Sequence, residues 1–316
     1  MIKPIERILH SLLLLVFIGT SSSIVYILNT EPRVTPSTGF TPTTVASLTP
    51  PATATRTATE PAAIPAPLFA PATVPGLSGS LPSGATAGWS LVQPGLERRV
   101  IEIYNAQNQR VESLYIWRLD QRSFRMDIAF DGRPKSLETW QKETNAALVV
   151  NGGYFSIDQN KRYSADGLTI LNGSASGRSF VGFGGMLVID PSGAELRWLV
   201  EKPYNAAEPL QAALQAFPIL VQPGGRLGFP AERENNARAR RTVIAQDKDG
   251  RILLMVAPDG YFTLHELSVY LTESDLNLDI ALNLDGGGST GILVANPREV
   301  ISPKTLLPFV ILVYPT

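Results

Sequence analysis

The sequence predicts an α+β fold: one mixed, largely antiparallel sheet with a few helices, in a single domain that follows a membrane anchor and a disordered linker. Three observations carry this. From Trp89 onward, short apolar or alternating runs recur between turn signals, as strands do. Only two or three stretches in that region show helical spacing. Ahead of Trp89 the composition changes twice, from apolar to Thr/Pro/Ala-rich and then to ordinary globular. Many strands with a few segregated helices is the α+β pattern.

Residues 1–30 read as a transmembrane signal-anchor. Lys3 and Arg7 give a basic start, and residues 8–28 are mostly apolar. That is close to the ~20 residues needed to cross a bilayer. A cleaved signal peptide is the competing reading, with small residues 19–23 as the cut site. The apolar run resumes at Ile24, which favours retention. The basic start puts the N-terminus in the cytoplasm and the rest outside. Residues 31–88 hold eleven of the 25 prolines, twelve threonines, eleven alanines and four charges. Such a stretch buries too little apolar surface to offset its ordering entropy, so a disordered stalk is expected.

Residues 89–316 form the expected folded domain, of ordinary size for one core. The chain of 316 residues carries a formal net charge of −1, which excludes a global field for nucleic acid. With no cysteine, thiolate metal sites and a cysteine nucleophile are excluded. Only two histidines are present, His10 and His265, so any metal would be a hard ion held by oxygens.

Within this domain, residues 100–104, 114–119 and 125–130 alternate like strands, the last ending at an Asp131-Gly132 turn. Residues 136–144 read as a short helix capped by Ser136, with Leu137 and Trp140 on one face. A buried strand at 146–150 runs into Asn151-Gly152-Gly153-Tyr154-Phe155. Asp166 and Gly167 precede a short strand and an Asn172-Gly173 turn. Residues 180–189 are a glycine-interrupted strand whose hairpin partner is 195–200, and 209–216 read as a second short helix. Residues 217–222 are a strand. Residues 226–241 form a charged loop with five arginines. Residues 242–246 and 252–257 pair through Asp247-Lys248-Asp249-Gly250. Thr263 and Glu266 fit a capping box that opens a third helix. The chain ends in an apolar run, 309–314, expected to be a central strand.

One stretch concentrates chemistry. The apolar run 280–284 delivers Asp285 to its end, and Gly286, Gly287, Gly288, Ser289 and Thr290 follow. Glycines reach positive φ without steric cost, so their amides can form an anion nest. The plainer reading is a tight turn between buried strands, with Asp285 bonded to its own backbone.

Three motifs occur in order: Asn151-Gly152-Gly153-Tyr154-Phe155, Arg241-Thr242-Val243-Ile244 and Leu284-Asp285-Gly286-Gly287-Gly288-Ser289-Thr290. Together they resemble the phosphodiester glycosidase family, over roughly residues 100–316. Ala245 departs from the glycine often found there. The resemblance implies cleavage of a sugar 1-phosphodiester at the anomeric carbon. A phosphate ester leaves as a stable anion, so such a site must chiefly stabilise an oxocarbenium-like centre and the phosphate oxygens. Against that chemistry, Asp285 is the candidate catalytic carboxylate and Asp166 the second. Arg241 and the amides of Gly286, Gly287 and Gly288 are candidates for the phosphate, with Ser289 and Thr290 beside them. Asn151, next to Gly152, is a candidate to orient a sugar hydroxyl or the phosphate. Glu266 is explained by capping, and Tyr154 and Phe155 read as core or pocket wall. The sequence settles no cofactor; Ca²⁺ on the oxygens of Asp285 and its neighbours is left open. The expected partners are a glycan or sugar-phosphate substrate and the membrane, not nucleic acid. Two other classes remain: a non-catalytic glycan-binding or envelope-scaffold module, and a metal-dependent phosphodiesterase.

Overall fold

The computed structural model describes residues 77–78, 88–180 and 184–316. The chain divides into two units, Met1–Ala72 and Thr73–Thr316, and the described residues belong to the second. The expected anchor and most of the expected linker lie outside the described residues. No helix among the described residues is long and apolar enough to cross a membrane.

The fold is β-rich, with two α-helices among the described residues, Leu137–Thr144 and Leu264–Glu273. The expectation of one mixed sheet is corrected: the strands fall into three sheets and a two-stranded ribbon, and the pairing is antiparallel throughout the described residues. The largest sheet runs Leu77–Ser78, Leu96–Asn105, Arg110–Leu119, Ile252–Ala257, Arg241–Asp247, Leu278–Asn283, Ile219–Gln222, Arg226–Leu227, with Ser90–Gln93 also on Leu96–Asn105. Leu77–Ser78, inside the expected linker, pairs with Tyr104 and Asn105. A second sheet runs Ser174–Ser176, Thr169–Leu171, Ala212–Ala216, Gly185–Asp190, Gly193–Trp198. A third runs Glu299–Ile301, Ile292–Val294, Leu148–Asn151, Leu307–Pro315, Phe124–Lys135. Phe155–Ile157 and Tyr163–Ala165 form the ribbon.

The three sheets share one core. Trp117, Ile244 and Leu282 enter it from the largest sheet, Leu187 and Leu214 from the second, and Val150 and Ile311 from the third. The outer face of the largest sheet is covered by Leu264–Glu273, through Leu267 and Leu271 against Val243, Ala245 and Ala281. The outer face of the third is covered by Leu137–Thr144, through Leu137 and Trp140. Strands covered on both faces become continuous apolar runs, which is why Ile252–Ala257 is buried at every position.

Both helix starts form as the sequence chemistry dictates. Ser136 accepts from the Thr139 amide, and Thr263 and Glu266 complete a reciprocal capping box. The Asn172-Gly173 turn forms with both residues at positive φ and joins Thr169–Leu171 to Ser174–Ser176. Two local expectations are corrected. Residues 209–216 are not helical: Ala212–Ala216 is a strand buried at every position, between Thr169–Leu171 and Gly185–Asp190. Asp131-Gly132 is not a turn, because Phe124–Lys135 runs through it. A register shift opposite Leu307 and Phe309 absorbs the extra residues there.

Candidate active site

The site forms where strands of two sheets end together. Leu148–Asn151 delivers Asn151 from the third sheet, and Leu278–Asn283 runs toward Asp285 from the largest. The Asn151 side chain joins them. Its Nδ2 donates to the Asp285 carbonyl at 2.7 Å. Its Oδ1 accepts from Thr242 Oγ1 at 2.8 Å and from the Gly291 amide at 3.1 Å. The Asp285 amide donates to the Gly152 carbonyl at 3.2 Å, and the Gly152 amide to the Phe309 carbonyl at 2.9 Å. Asn151 is 1% exposed, so its amide fixes the turn that presents Asp285 and is not free to orient a sugar. Gly152 has a packing role too: an added Cβ would lie 3.3 Å from the Phe309 backbone.

Asp285 is half-buried at the head of this turn. Burial pushes its carboxyl up to about 6; the Ser289 hydroxyl and the Gly286 amide pull it back, and the nearby Asp166 charge lifts it further. The two carboxylates chosen from sequence are tied to one segment: the Asp285 amide donates to the Gly152 carbonyl and the Asp166 amide to the Tyr154 carbonyl. Asp166 is held by the Ser156 hydroxyl, which donates to its Oδ1 at 2.6 Å, and by its own amide on the Tyr154 carbonyl.

The glycine triplet is a folded turn, not an open cradle. The Gly286 amide donates to Asp285 Oδ1 at 2.8 Å and the Gly287 amide to the Arg240 carbonyl at 2.8 Å. Gly287 sits at φ 58°, which favours glycine. A Cβ on Gly286 would lie 2.7 Å from the Arg240 carbonyl oxygen. The Gly288 carbonyl accepts from the Lys304 amide at 2.7 Å. Ser289 and Thr290 are buried, and Thr290 Oγ1 has no hydrogen-bond partner among the described residues.

Arg241 opens its strand but its side chain turns to the helix-covered face. It alternates with Thr242, which reaches Asn151 on the inner face, and shares its side with Val243 and Ala245. Its Nε donates to the Phe262 carbonyl at 3.2 Å and its Nη2 to the Ala237 carbonyl at 2.6 Å. Burial holds its guanidinium below the ordinary arginine range, with Tyr154 and Glu234 countering. Arg240 behaves alike: its Nε and Nη2 donate to the carbonyls of Pro258 and Ser302, and its buried Nη1 is unpartnered among the described residues. No carboxylate forms an ion pair with either guanidinium among the described residues.

Residues not chosen from sequence complete the surroundings. Asn283 Nδ2 donates to the Tyr154 hydroxyl at 2.7 Å and to the Phe217 carbonyl at 3.1 Å, while its Oδ1 is buried without a partner among the described residues. Tyr154 stacks on Phe217 with ring centroids 4.7 Å apart. Asn283 had a sequence signal, a lone amide inside the apolar run 280–284. Among the described residues no group of three or more His, Asp or Glu is placed to hold a metal ion. Asp285 and Asp166 are the pair of hard oxygen donors that a cation such as Ca²⁺ would find here.

Asp285 on its glycine turn and Asp166 are both held to residues 152–154 at the joined ends of antiparallel sheets. The family model for phosphodiester glycosidases matches residues 144–314, and the chain belongs to that family. No curated protein matches the chain by sequence. Among solved structures, the chain is similar to the catalytic domain of zebrafish N-acetylglucosamine-1-phosphodiester alpha-N-acetylglucosaminidase, auto-inhibited by its pro-peptide. That likeness has a TM-score of 0.54 at 19% identity and covers 70% of this chain and 84% of that one, so the two share a fold. A hypothetical protein from Synechocystis is also similar, with a TM-score of 0.48 at 13% identity, over 74% of this chain and 64% of that one.

Proposed function

We propose that this protein hydrolyses sugar 1-phosphodiesters in glycans or glycoconjugates outside the cytoplasm, held at a membrane by residues 1–30 and spaced from it by residues 31–88. The observation that carries the reading is Asp285: a carboxyl lifted to about 6 by burial, beside Asp166, in a chain of the phosphodiester glycosidase family. A group titrating near neutrality accepts and returns a proton readily. Water adds to the anomeric carbon, the bond from that carbon to the phosphate oxygen breaks, and the electron pair leaves with the phosphate monoester. Asp285, ionised, stabilises the positive anomeric carbon or takes the water's proton. Asp166 is the second carboxylate. Arg241, turned to the helix-covered face with its guanidinium on the Phe262 and Ala237 carbonyls, is not assigned to the phosphate. The basic start and the apolar run support the outward placement.

The test uses the full-length protein, purified in detergent, with methyl esters of hexosyl 1-phosphates in ¹⁸O-water. Label in the released sugar with none in the phosphate is the expected result. Asp285→Asn should lower kcat by at least ~10²-fold, the usual size of one acid–base group. Label in the phosphate would replace this reading by phosphodiesterase chemistry. Binding without turnover would replace it by a glycan-binding module.

A further inference from the structure

Phe180 is the one aromatic among the exposed large apolar side chains of the described residues, at 36% exposure. Its surroundings are built to hold it there. Gln215 is 1% exposed and hydrogen-bonds the Phe180 backbone in both directions: its Oε1 accepts from the Phe180 amide at 3.3 Å, and its Nε2 donates to the Phe180 carbonyl. The same Oε1 accepts from the Leu168 amide at 3.1 Å, which ties Phe180 to the turn carrying Asp166. Gly167, next to Asp166, sits at φ +78°, and a Cβ there would lie 2.9 Å from Phe180 Cε1. Only glycine leaves room for the ring at that distance. The ring meets Phe217 edge-on with centroids 5.9 Å apart, and Phe217 stacks on Tyr154, whose carbonyl holds the Asp166 amide. Gln215 spends its bonds on the Phe180 backbone and the Leu168 amide, so the partly exposed ring is fixed beside the turn that carries Asp166.

We infer that Phe180 is the stacking platform for the pyranose ring of the substrate, a specificity-determining residue that receives the apolar C–H face of a hexosyl 1-phosphate beside Asp166. The inference rests on the proposed sugar 1-phosphodiester activity and adds the group that holds the sugar. A pyranose presents axial C–H groups to an aromatic face and hydroxyls around its rim. The platform orients the ring, while Asp166 and Asp285 are both held by their amides to residues 152–154. A phosphate without a sugar has no such face and gains nothing from the ring.

The test separates the platform from the chemistry. Calorimetry with the full-length Asp285→Asn protein measures Kd for the 1-phosphates of glucose, mannose and N-acetylglucosamine, and for methyl phosphate. Adding Phe180→Ala should weaken the tightest-bound sugar phosphate about tenfold and leave methyl phosphate unchanged. Phe180→Trp should restore the sugar affinity. In the otherwise unaltered protein, Phe180→Ala should raise KM about tenfold and change kcat by less than threefold. Sugar affinity within twofold of the parent in Phe180→Ala, or an equal loss for methyl phosphate, overturns the platform even if turnover is intact. Phe180-dependent sugar binding with no turnover in the otherwise unaltered protein upholds the platform and overturns the hydrolase reading.

Discussion

At the scale of single residues, Asp285 makes the protein's stability depend on pH. Its folded pKa is raised from the ordinary 3.8 to about 6, so folding favours the protonated form. The associated stability is fully present below about pH 4 and is lost as pH rises through 6. A lift of that size is worth ~3 kcal/mol. Asp285→Asn keeps the shape and removes the charge. The variant should therefore match the parent near pH 4 and exceed it by up to ~3 kcal/mol at pH 8, read from urea unfolding at each pH. Equal curves across that range would show that Asp285 ionises in a solvated place. Arg241 gives a second residue-scale expectation. Arg241→Ala should leave competitive inhibition by methyl phosphate within about twofold of the parent, because the guanidinium is committed to the Phe262 and Ala237 carbonyls on the helix-covered face. A loss of tenfold or more would show instead that the guanidinium reaches the phosphate and is more than a fastening for the loop before its strand.

At the scale of elements, a buried carboxylate organises the loop behind the site. Glu112 is 0% exposed and accepts from the amides of Asp259 and Gly260 at 2.9 Å and of Tyr261 at 3.1 Å. Pro258, at the start of that loop, accepts from Arg240, whose own carbonyl holds the Gly287 amide. Glu112→Ala removes the acceptor of four amides, those of Asp259, Gly260 and Tyr261 and of its neighbour Ser113, each costing ~1–3 kcal/mol if left without an acceptor. It should lower stability by at least ~3 kcal/mol in chemical denaturation, with Glu112→Gln recovering part through its remaining oxygen. A loss under 1 kcal/mol for the alanine variant would mean that the loop finds other acceptors.

What could be read from the sequence follows the range of the forces involved. The Thr263 capping box and the Asn172-Gly173 hairpin are complete within four residues, so local chemistry decides them. Residues 209–216 misled because a strand buried on both faces loses its alternation, and a short apolar run has no distinguishing period. Asp285 and Asp166 were legible as carboxylates beside glycines, and their proximity in space is a tertiary fact. Asn151 and Gly152 were legible as special and misread in role, because the bonds from Asn151 to Thr242, Asp285 and Gly291 span up to 140 residues. Arg241 was chosen for its place at a strand entry, and the sequence alone does not say which side of the sheet that strand position faces. Phe180 carried no local signal: its exposure depends on Gln215, 35 residues away.

At the scale of the whole molecule, the candidate site depends on the last strand. Leu307–Pro315 lies between Leu148–Asn151 and Phe124–Lys135 and supplies the Phe309 carbonyl that fixes Gly152. Ending the chain before Leu307 would leave two strands of the third sheet without their shared neighbour and open a core that includes Phe309, Ile311 and Val313. Such a truncation should yield no cooperative unfolding transition, whereas removal of residues 1–72 should leave one. A cooperative transition in the C-terminal truncation would show that the first two sheets fold alone.

That placement also sets a clock on activity. Asn151 is made early and cannot be locked until the strand beyond Leu307 arrives to pair with it, more than 150 residues later in synthesis. A chain that still lacks that strand has Asp285 without its fixed turn. The candidate site is therefore assembled only once synthesis has reached the last strand.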